Sequence, residues 1–152
     1  MELLQNTHIR RLTKGDFEIL KMFHVKHFGN YEISDRSFDA YLTQSQYQTY
    51  GMFHVKHLIG YVIFLTGVHD ADIVYIGTAP DFRRHGVAST LIQNFLDTTK
   101  ISQIFLEVSI ENTNAISLYK SLGFEIASIR KKYFHNIDSY LMFKKNVSRE
   151  TF

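Results

Sequence analysis

The stretch YIGTAPDFRRHGVASTLI, residues 75–92, decides the fold. A β-strand pattern runs to Thr78, and from Val87 the apolar residues recur every three or four positions, which predicts a helix. A helix N-terminus presents unpaired N–H groups and positive dipole, and glycine lets a phosphate approach the backbone. These residues leave phosphate binding and an ordinary basic turn equally open. The loop that joins strand and helix carries Arg83, Arg84 and Gly86.

The rest of the chain predicts a mixed α/β sheet with helices packed on it, in one domain that spans residues 1–152. Alternating patterns predict strands at 8–12, 49–55, 59–66, 72–78, 102–110, 124–132 and 139–145. Helical patterns cover 16–28, 34–43, the segment after Gly86, and 114–122, which Gly123 ends. Within 16–28, one apolar arc contains Phe17, Ile19, Leu20, Phe23 and Phe28.

Composition narrows the possible functions. The net charge of +2 is too small to favour nucleic acid as the main partner, although a mildly basic surface suits a phosphate-bearing ligand. The absence of cysteine excludes disulfides and thiolate catalysis. The longest apolar run, LIGYVIFL, is too short to span a bilayer, and the N-terminus does not resemble a signal peptide. We expect a cytoplasmic protein that does not bind membranes.

A second informative stretch is FLEVSIENTNAISLYKSLGFEIASIRKKYF, residues 105–134. The pattern R-x-x-G-x-A at Arg83, Gly86 and Ala88, after a strand ending in I-G-T-A-P, resembles the acetyl-coenzyme A motif of the GCN5-related N-acetyltransferase (GNAT) superfamily. The L-E-V, N, A-I-x-L-Y and S-L-G-F elements of the second stretch resemble the RimI subfamily, the ribosomal-protein alanine N-acetyltransferases. The resemblance in sequence covers residues 75–143. The first half of the chain agrees with the family only in the order of its predicted helices and strands.

This resemblance implies the GNAT fold, with about six or seven strands, about four helices and two splayed central strands that hold acetyl-coenzyme A. The backbone of the first splayed strand would contact the pantetheine arm, the following loop and helix start would wrap the pyrophosphate, and Asn112 would contact the cofactor. Gly77 and Thr78 depart from the subfamily, which more often has small and β-branched apolar residues there. The implied cofactor-binding residues are Ile76, Gly77, Thr78, Arg83, Arg84, His85, Gly86, Val87, Ala88, Ser89 and Asn112.

The resemblance also implies two catalytic residues: Glu107 as general base and Tyr119 as general acid toward the coenzyme A thiolate. A carboxylate in mid-strand is unusual, which agrees with a role in catalysis. From the residues alone, however, Glu107 fits a solvent-exposed sheet face, Tyr119 a core aromatic and Asn112 a helix N-cap. The family further implies that Phe28 and Tyr31 border the acceptor groove.

The implied function is transfer of acetyl from acetyl-coenzyme A to a protein N-terminal α-amine, most simply the N-terminal alanine of a small-subunit ribosomal protein. Two alternatives stay open: a small-molecule amine acetyltransferase acting on a polyamine, amino acid or aminoglycoside, and a non-catalytic acyl-coenzyme A-binding module. The sequence does not determine the oligomeric state.

The hexapeptide MFHVKH occurs twice, at 22–27 and 52–57, and each copy has an H-x-x-H spacing that suggests a metal site. The first copy lies in a predicted helix, where His24 and His27 fall inside the apolar arc. The second copy ends a predicted strand, in which His54 and His57 would point to opposite faces. Because one peptide in two conformations cannot form the same ligand pair twice, we predict no metal site.

Overall fold

The computed structural model describes residues 5–29, 33–134 and 136–146, with the side chains of residues 133 and 134 left aside. The described elements include seven strands and four α-helices, together with short 3₁₀ turns. The α-helices are α1 (Phe17–Phe28), α2 (Asp35–Thr43), α3 (Val87–Thr98) and α4 (Thr113–Ser121). The strands are β1 (Thr7–Arg11), β2 (Tyr47–His54), β3 (His57–Thr66), β4 (Asp70–Thr78), β5 (Gln103–Ser109), β6 (Glu125–Phe134) and β7 (Ile137–Lys145).

All seven strands belong to one mixed sheet with the order β1-β2-β3-β4-β5-β7-β6. Each described pair is antiparallel except the central one, in which β4 and β5 run parallel. The connection between these two strands is α3, as expected for a parallel crossover. The predicted mixed α/β fold is therefore confirmed, with element ends shifted by a few residues.

The central pair separates after a short ladder. Only three residue pairs join β4 to β5, and the last is Asp72 with Phe105. On its other side, β4 has a bulge, because Tyr75 opposes Ile63 while Ile73 opposes the next residue of β3, which leaves Val74 as an extra residue. A bulge bends its strand and increases the local twist. The splay predicted from the family resemblance therefore begins where the bulge turns β4 away from β5.

Two hydrophobic cores cover the two faces of the sheet. The α3–α4 core joins those helices to one face, with Leu91, Phe95, Ile104 and Leu106 at 3% exposure or less. The α1–α2 core covers the opposite face on the β2–β4 side, where the buried side chains include Leu20, Phe38, Tyr61 and Ile63. The burial pattern of β5 alternates as predicted, so Glu107 lies on the face opposite the α3–α4 core.

The face of α1 that packs on the sheet matches the predicted arc except at Ile19. Ile19, expected in the arc, is 45% exposed, whereas His24 is 5% exposed. His24 tolerates burial because its Nδ1 forms a 2.9 Å hydrogen bond with Tyr61 Oη. The predicted position of His24 inside the apolar arc is thus confirmed, whereas its hydrogen bond with Tyr61 depends on the packing of α1 against β3.

The two copies of MFHVKH adopt different structures, as predicted. The first lies within α1, and the second closes the β2–β3 hairpin. The expectation that His54 and His57 point to opposite faces is wrong, because the chain turns between them and makes them direct cross-strand partners. The predicted turn at residues 56–58 likewise lies earlier, at Val55 and Lys56.

Asp16 joins β1 to the start of α1. Its carboxylate accepts hydrogen bonds from both terminal nitrogens of Arg10, at 2.9 and 2.8 Å, and from the backbone N–H of Thr13 at 2.8 Å. The Arg10 hydrogen bond is the largest cause that lowers the pKa of Asp16, while partial burial opposes it. The charged form of Asp16 therefore stabilises the folded state.

Gly60 sets the distance between α3 and the sheet. A Cβ atom there would lie 2.6 Å from Val87 Cγ1 and 3.1 Å from the Gly77 carbonyl oxygen. Because Val87 is the first residue of α3, the lack of a side chain at Gly60 lets the start of this helix lie directly on β3.

We expect Gly60→Ala to lower the free energy of unfolding by about 1–3 kcal/mol, because the added methyl group overpacks the contact with Val87. Urea unfolding at neutral pH measures the effect. Gly15→Ala is the matched control, since its Cβ would meet nothing closer than 4.0 Å. Equal stability of the two variants would show that α3 can shift away at little cost.

We expect Asp16→Asn to destabilise the fold by about 1–3 kcal/mol at pH 7, because charge-assisted hydrogen bonds are lost. The folded pKa of Asp16 is lowered, so its contribution is present above the unfolded pKa of about 3.9 and disappears as the pH falls through the folded value. Unfolding curves from pH 7 to pH 2 should therefore converge at acidic pH. Asp35→Asn, which breaks the exposed pair with Lys21, should change stability by less than about 1 kcal/mol throughout.

Candidate active site

The cleft between β4 and β5 exposes a backbone edge. Beyond Asp72, the described ladders pair β4 with β3 alone, so Ile76, Gly77 and Thr78 have no strand partner on the β5 side within the described ranges. Backbone N–H and C=O groups without a strand partner need another hydrogen-bonding group. This edge can therefore bind an extended ligand that carries amides of its own.

Gly77 lets α1 approach this edge. A Cβ atom at Gly77 would lie 2.7 Å from Phe28 Cε2 and 3.3 Å from Tyr61 Cε1. The Phe28 ring thus packs directly on the β4 backbone, at the predicted border of the acceptor groove. Tyr31, the other predicted border residue, lies outside the described residues.

The loop after β4 has the features of an anion site. Gly86 is the N-cap of α3 in the left-handed conformation, with φ of 82°, and within the described ranges no side-chain hydrogen bond caps this helix start. Ser89 Oγ donates a 3.0 Å hydrogen bond to the Gly86 carbonyl, so this hydroxyl is used away from the helix N–H groups. Arg84 also has a positive φ of 66°, and the side chains of Arg83 and Arg84 are exposed. The first N–H groups of α3 and two guanidinium groups are consequently available to an anion.

The remaining predicted residues of this loop contribute in different ways. The Val87 side chain is buried in the α3–α4 core, so Val87 can offer a ligand only its backbone. His85 and Ala88 are half-buried. The structure thus brings the predicted segment from Arg83 to Ser89 together at one helix start.

Glu107 points away from the α3–α4 core, onto a part of the sheet where its side chain is 32% exposed. Its Oε1 lies 3.1 Å from a terminal nitrogen of Arg130, which reaches across β7 from β6. The interpretation of Glu107 as a solvent-exposed residue is thus partly correct, because its carboxylate is accessible to solvent but forms an ion pair with Arg130. Sequence reasoning missed Arg130, because the contact depends on how β6 and β7 align.

Tyr119 lies in the α3–α4 core at 7% exposure, with its ring edge-to-face with Phe124 at 5.8 Å between centroids. Burial raises the pKa of its phenol to about 12. The hydroxyl therefore stays protonated at neutral pH and can serve as a proton donor. The core position that the residues alone suggested is observed, and it is compatible with the acid role.

Asn112 is the N-cap of α4, and its Oδ1 accepts a 3.2 Å hydrogen bond from the Ala115 N–H. The capping role that the residues alone suggested is thus observed. The amide nitrogen of Asn112 makes no hydrogen bond within the described part of the chain, so it can still donate to a ligand at the end of β5.

The cleft connects the two faces of the sheet. Glu107 lies on the face that α1 and α2 partly cover, whereas Tyr119 comes from α4 on the opposite face. In a continuous sheet a base and an acid so placed would be separated by backbone. Because the described ladders do not pair β4 with β5 beyond Asp72, backbone hydrogen bonds do not close the sheet at this point.

The MFHVKH copies are not part of this cleft. They line opposite sides of a groove of about 950 Å³ between α1 and the β2–β3 hairpin, which contains none of the predicted site residues. In the described ranges, no three histidine, aspartate or glutamate side chains are placed to hold a metal ion.

Comparison with known proteins agrees with this geometry. The profile of the Acetyltransferase (GNAT) family matches residues 10–124. The chain belongs to this family. Its sequence is 35% identical over 72 residues to the [Ribosomal protein bS18]-alanine N-acetyltransferase of Escherichia coli K12, covering 45% of this chain and 49% of that protein. An N-alpha-acetyltransferase of Sulfolobus acidocaldarius is 39% identical over 80 residues, covering 49% of this chain and 48% of that protein.

The structural comparison extends the match along the chain. The crystal structure of the ribosomal-protein-S18-alanine N-acetyltransferase from Escherichia coli superposes with a TM-score of 0.83 at 23% identity, covering 91% of this GNAT chain and 93% of the other. At that identity the superposition establishes the GNAT fold. In sequence, the chain spans about half the length of the curated relatives it matches. None of the helices in the described ranges is long and apolar enough to cross a membrane.

We expect the double substitution Arg83→Ala/Arg84→Ala to weaken coenzyme A binding about tenfold or more, because two charge-assisted donors are removed from the α3 start. Isothermal titration calorimetry at two salt concentrations measures this, and the salt dependence should also decrease. Lys100→Ala removes an exposed cation just beyond the other end of α3 and should leave the Kd unchanged. An unaltered Kd in the arginine variant would place the phosphates elsewhere.

Proposed function

We propose that this GNAT protein transfers the acetyl group of acetyl-coenzyme A to a protein N-terminal α-amine, specifically the N-terminal alanine of a small-subunit ribosomal protein. The observation that carries the proposal is the cleft between β4 and β5: Glu107 lies on one face of the sheet just beyond the last pair of the ladder, and Tyr119 comes from α4 on the other face. The curated relatives described above, an alanine N-acetyltransferase and an N-alpha-acetyltransferase, support the acceptor class.

Acetyl-coenzyme A fits the cleft as co-substrate and supplies the acetyl thioester. The unpartnered β4 edge at Ile76, Gly77 and Thr78 matches the two amides of a pantetheine arm. The uncapped start of α3, with Arg83 and Arg84, matches a pyrophosphate. A β4 N–H group directed at the acetyl carbonyl oxygen would stabilise the negative charge that develops there.

Glu107 accepts a proton from the attacking amine, either directly or through one water molecule. An α-amine has a pKa of about 8, compared with about 10.4 for a lysine side chain, so an α-amine loses its proton more easily near neutral pH. The pair with Arg130 orients Glu107, and the side chain is exposed enough to turn toward the acceptor.

Tyr119 donates a proton to the departing coenzyme A thiolate. Burial keeps this hydroxyl protonated far above neutral pH, so the donor form is available throughout the physiological range. The phenolate left behind in the core is costly, and it regains a proton from solvent before the next turnover. The two groups thus handle the proton that leaves the amine and the proton that the thiolate needs.

An acetylation assay on peptides tests the function. One peptide begins with alanine and contains an internal lysine, the second has a blocked N-terminus and the same lysine, and spermidine is the third acceptor. Mass spectrometry should locate acetyl on the α-amine of the first peptide alone. Preferred acetylation of spermidine would favour the small-molecule alternative, and cofactor binding without any product would favour the non-catalytic one.

We expect Glu107→Gln and Tyr119→Phe each to lower kcat by about 10²–10⁴-fold, the usual contribution of a general base or acid. Coenzyme A affinity should stay within about twofold of the native value, since neither substitution lies in the loop that contains Arg83, Arg84 and Gly86. The matched controls are Glu125→Gln, at an exposed position on β6, and Tyr50→Phe, which removes a hydroxyl bound to Gln48. Native turnover in both site variants would refute the assigned roles.

A further inference from the structure

Asp72 occupies the point where the cleft opens. It is the last residue of β4 that pairs with β5, and its partner there is Phe105. Glu107 follows two residues later on β5, so both carboxylates belong to the same face of the sheet. Strand spacing and rise put their Cα atoms roughly 8 Å apart. Side chains of this length at that separation can contact one small cation together.

The charges around this point leave an excess of negative charge. Partial burial and the negative charges of Asp70 and Glu107 raise the pKa of Asp72. Arg130 neutralises Glu107 at 3.1 Å, and within the described residues no basic side chain forms an ion pair with Asp72. A ligand cation placed beside Asp72 would therefore be attracted rather than repelled.

The same face offers a further group suited to an amine. Tyr75 lies on this face of β4 and packs with Tyr41 at 6.4 Å between ring centroids. Aromatic rings near a carboxylate favour an organic cation.

We propose that Asp72 binds the acceptor as an ammonium ion beside Glu107 and thereby selects amines that arrive positively charged. This inference rests on the proposed function and adds a substrate-binding residue to its site. The ammonium nitrogen gives one proton to the Glu107 carboxylate, and the neutral amine then attacks the thioester carbonyl. As the C–S bond breaks, the nitrogen loses its second proton to water and Tyr119 protonates the departing thiolate. Asp72 keeps its charge, and it disfavours acceptors with an acidic side chain next to the amine.

Calorimetry on the complete chain saturated with coenzyme A tests the inference through binding, without turnover. One probe is a peptide that begins with alanine, and the other is the same peptide lacking its α-amino group. The native protein should bind the amine peptide about tenfold more tightly than the desamino peptide, with the preference reduced at high salt. Asp72→Asn should remove this preference and leave desamino binding unchanged, while Asp72→Glu should restore part of it.

Asp70→Asn is the matched control, because it removes an equal charge from the same face of β4 at the closed end of the ladder. It should keep at least half of the preference for the amine peptide. Equal discrimination by the native protein and Asp72→Asn would overturn the inference, as would a native protein that does not distinguish the two peptides. The binding experiment and the acetylation assay are independent of each other. If the protein acetylates the α-amine but binds both peptides equally well, the proposed function stands and the role of Asp72 is refuted.

Discussion

The parallel ladder between β4 and β5 ends at Asp72 and Phe105, and the candidate site depends on that ending. The bulge at Val74 adds a residue to β4 against β3, so β4 stays paired on one side while it turns away on the other. The cost is a row of backbone groups without a strand partner in the described ranges. That same row gives an extended, amide-bearing ligand a place to bind.

Two glycines adapt the packing around the cleft. At Gly60 the missing side chain lets the first turn of α3 lie on β3, and at Gly77 it lets the Phe28 ring lie on β4. The start of α3 and the Phe28 ring are therefore packed on neighbouring strands of the sheet. Glycine at position 77 differs from the residues that are usual there in the RimI subfamily. The close contact of Phe28 with the Gly77 backbone gives a physical reason for this difference.

Each of three predicted site residues also has an observed structural role. Tyr119 packs in the α3–α4 core and, because burial raises its pKa to about 12, remains a proton donor. Asn112 caps α4 while keeping its amide nitrogen available to a ligand. Glu107 is accessible yet held by Arg130. The structural interpretation of each residue was thus correct without excluding the functional one, since different atoms of a side chain can serve each role.

The sequence by itself determined the element order, the phosphate-loop signature and the alternation that separates Glu107 from the core, because these depend on local periodicity. Tertiary structure decided the features that join distant segments. The burial of His24 against Tyr61, the pairing of His54 with His57, and the reach of Arg130 to Glu107 all depend on packing or on strand register. Local propensity is weak and tertiary context overrides it, and so the two MFHVKH copies take different structures from identical residues.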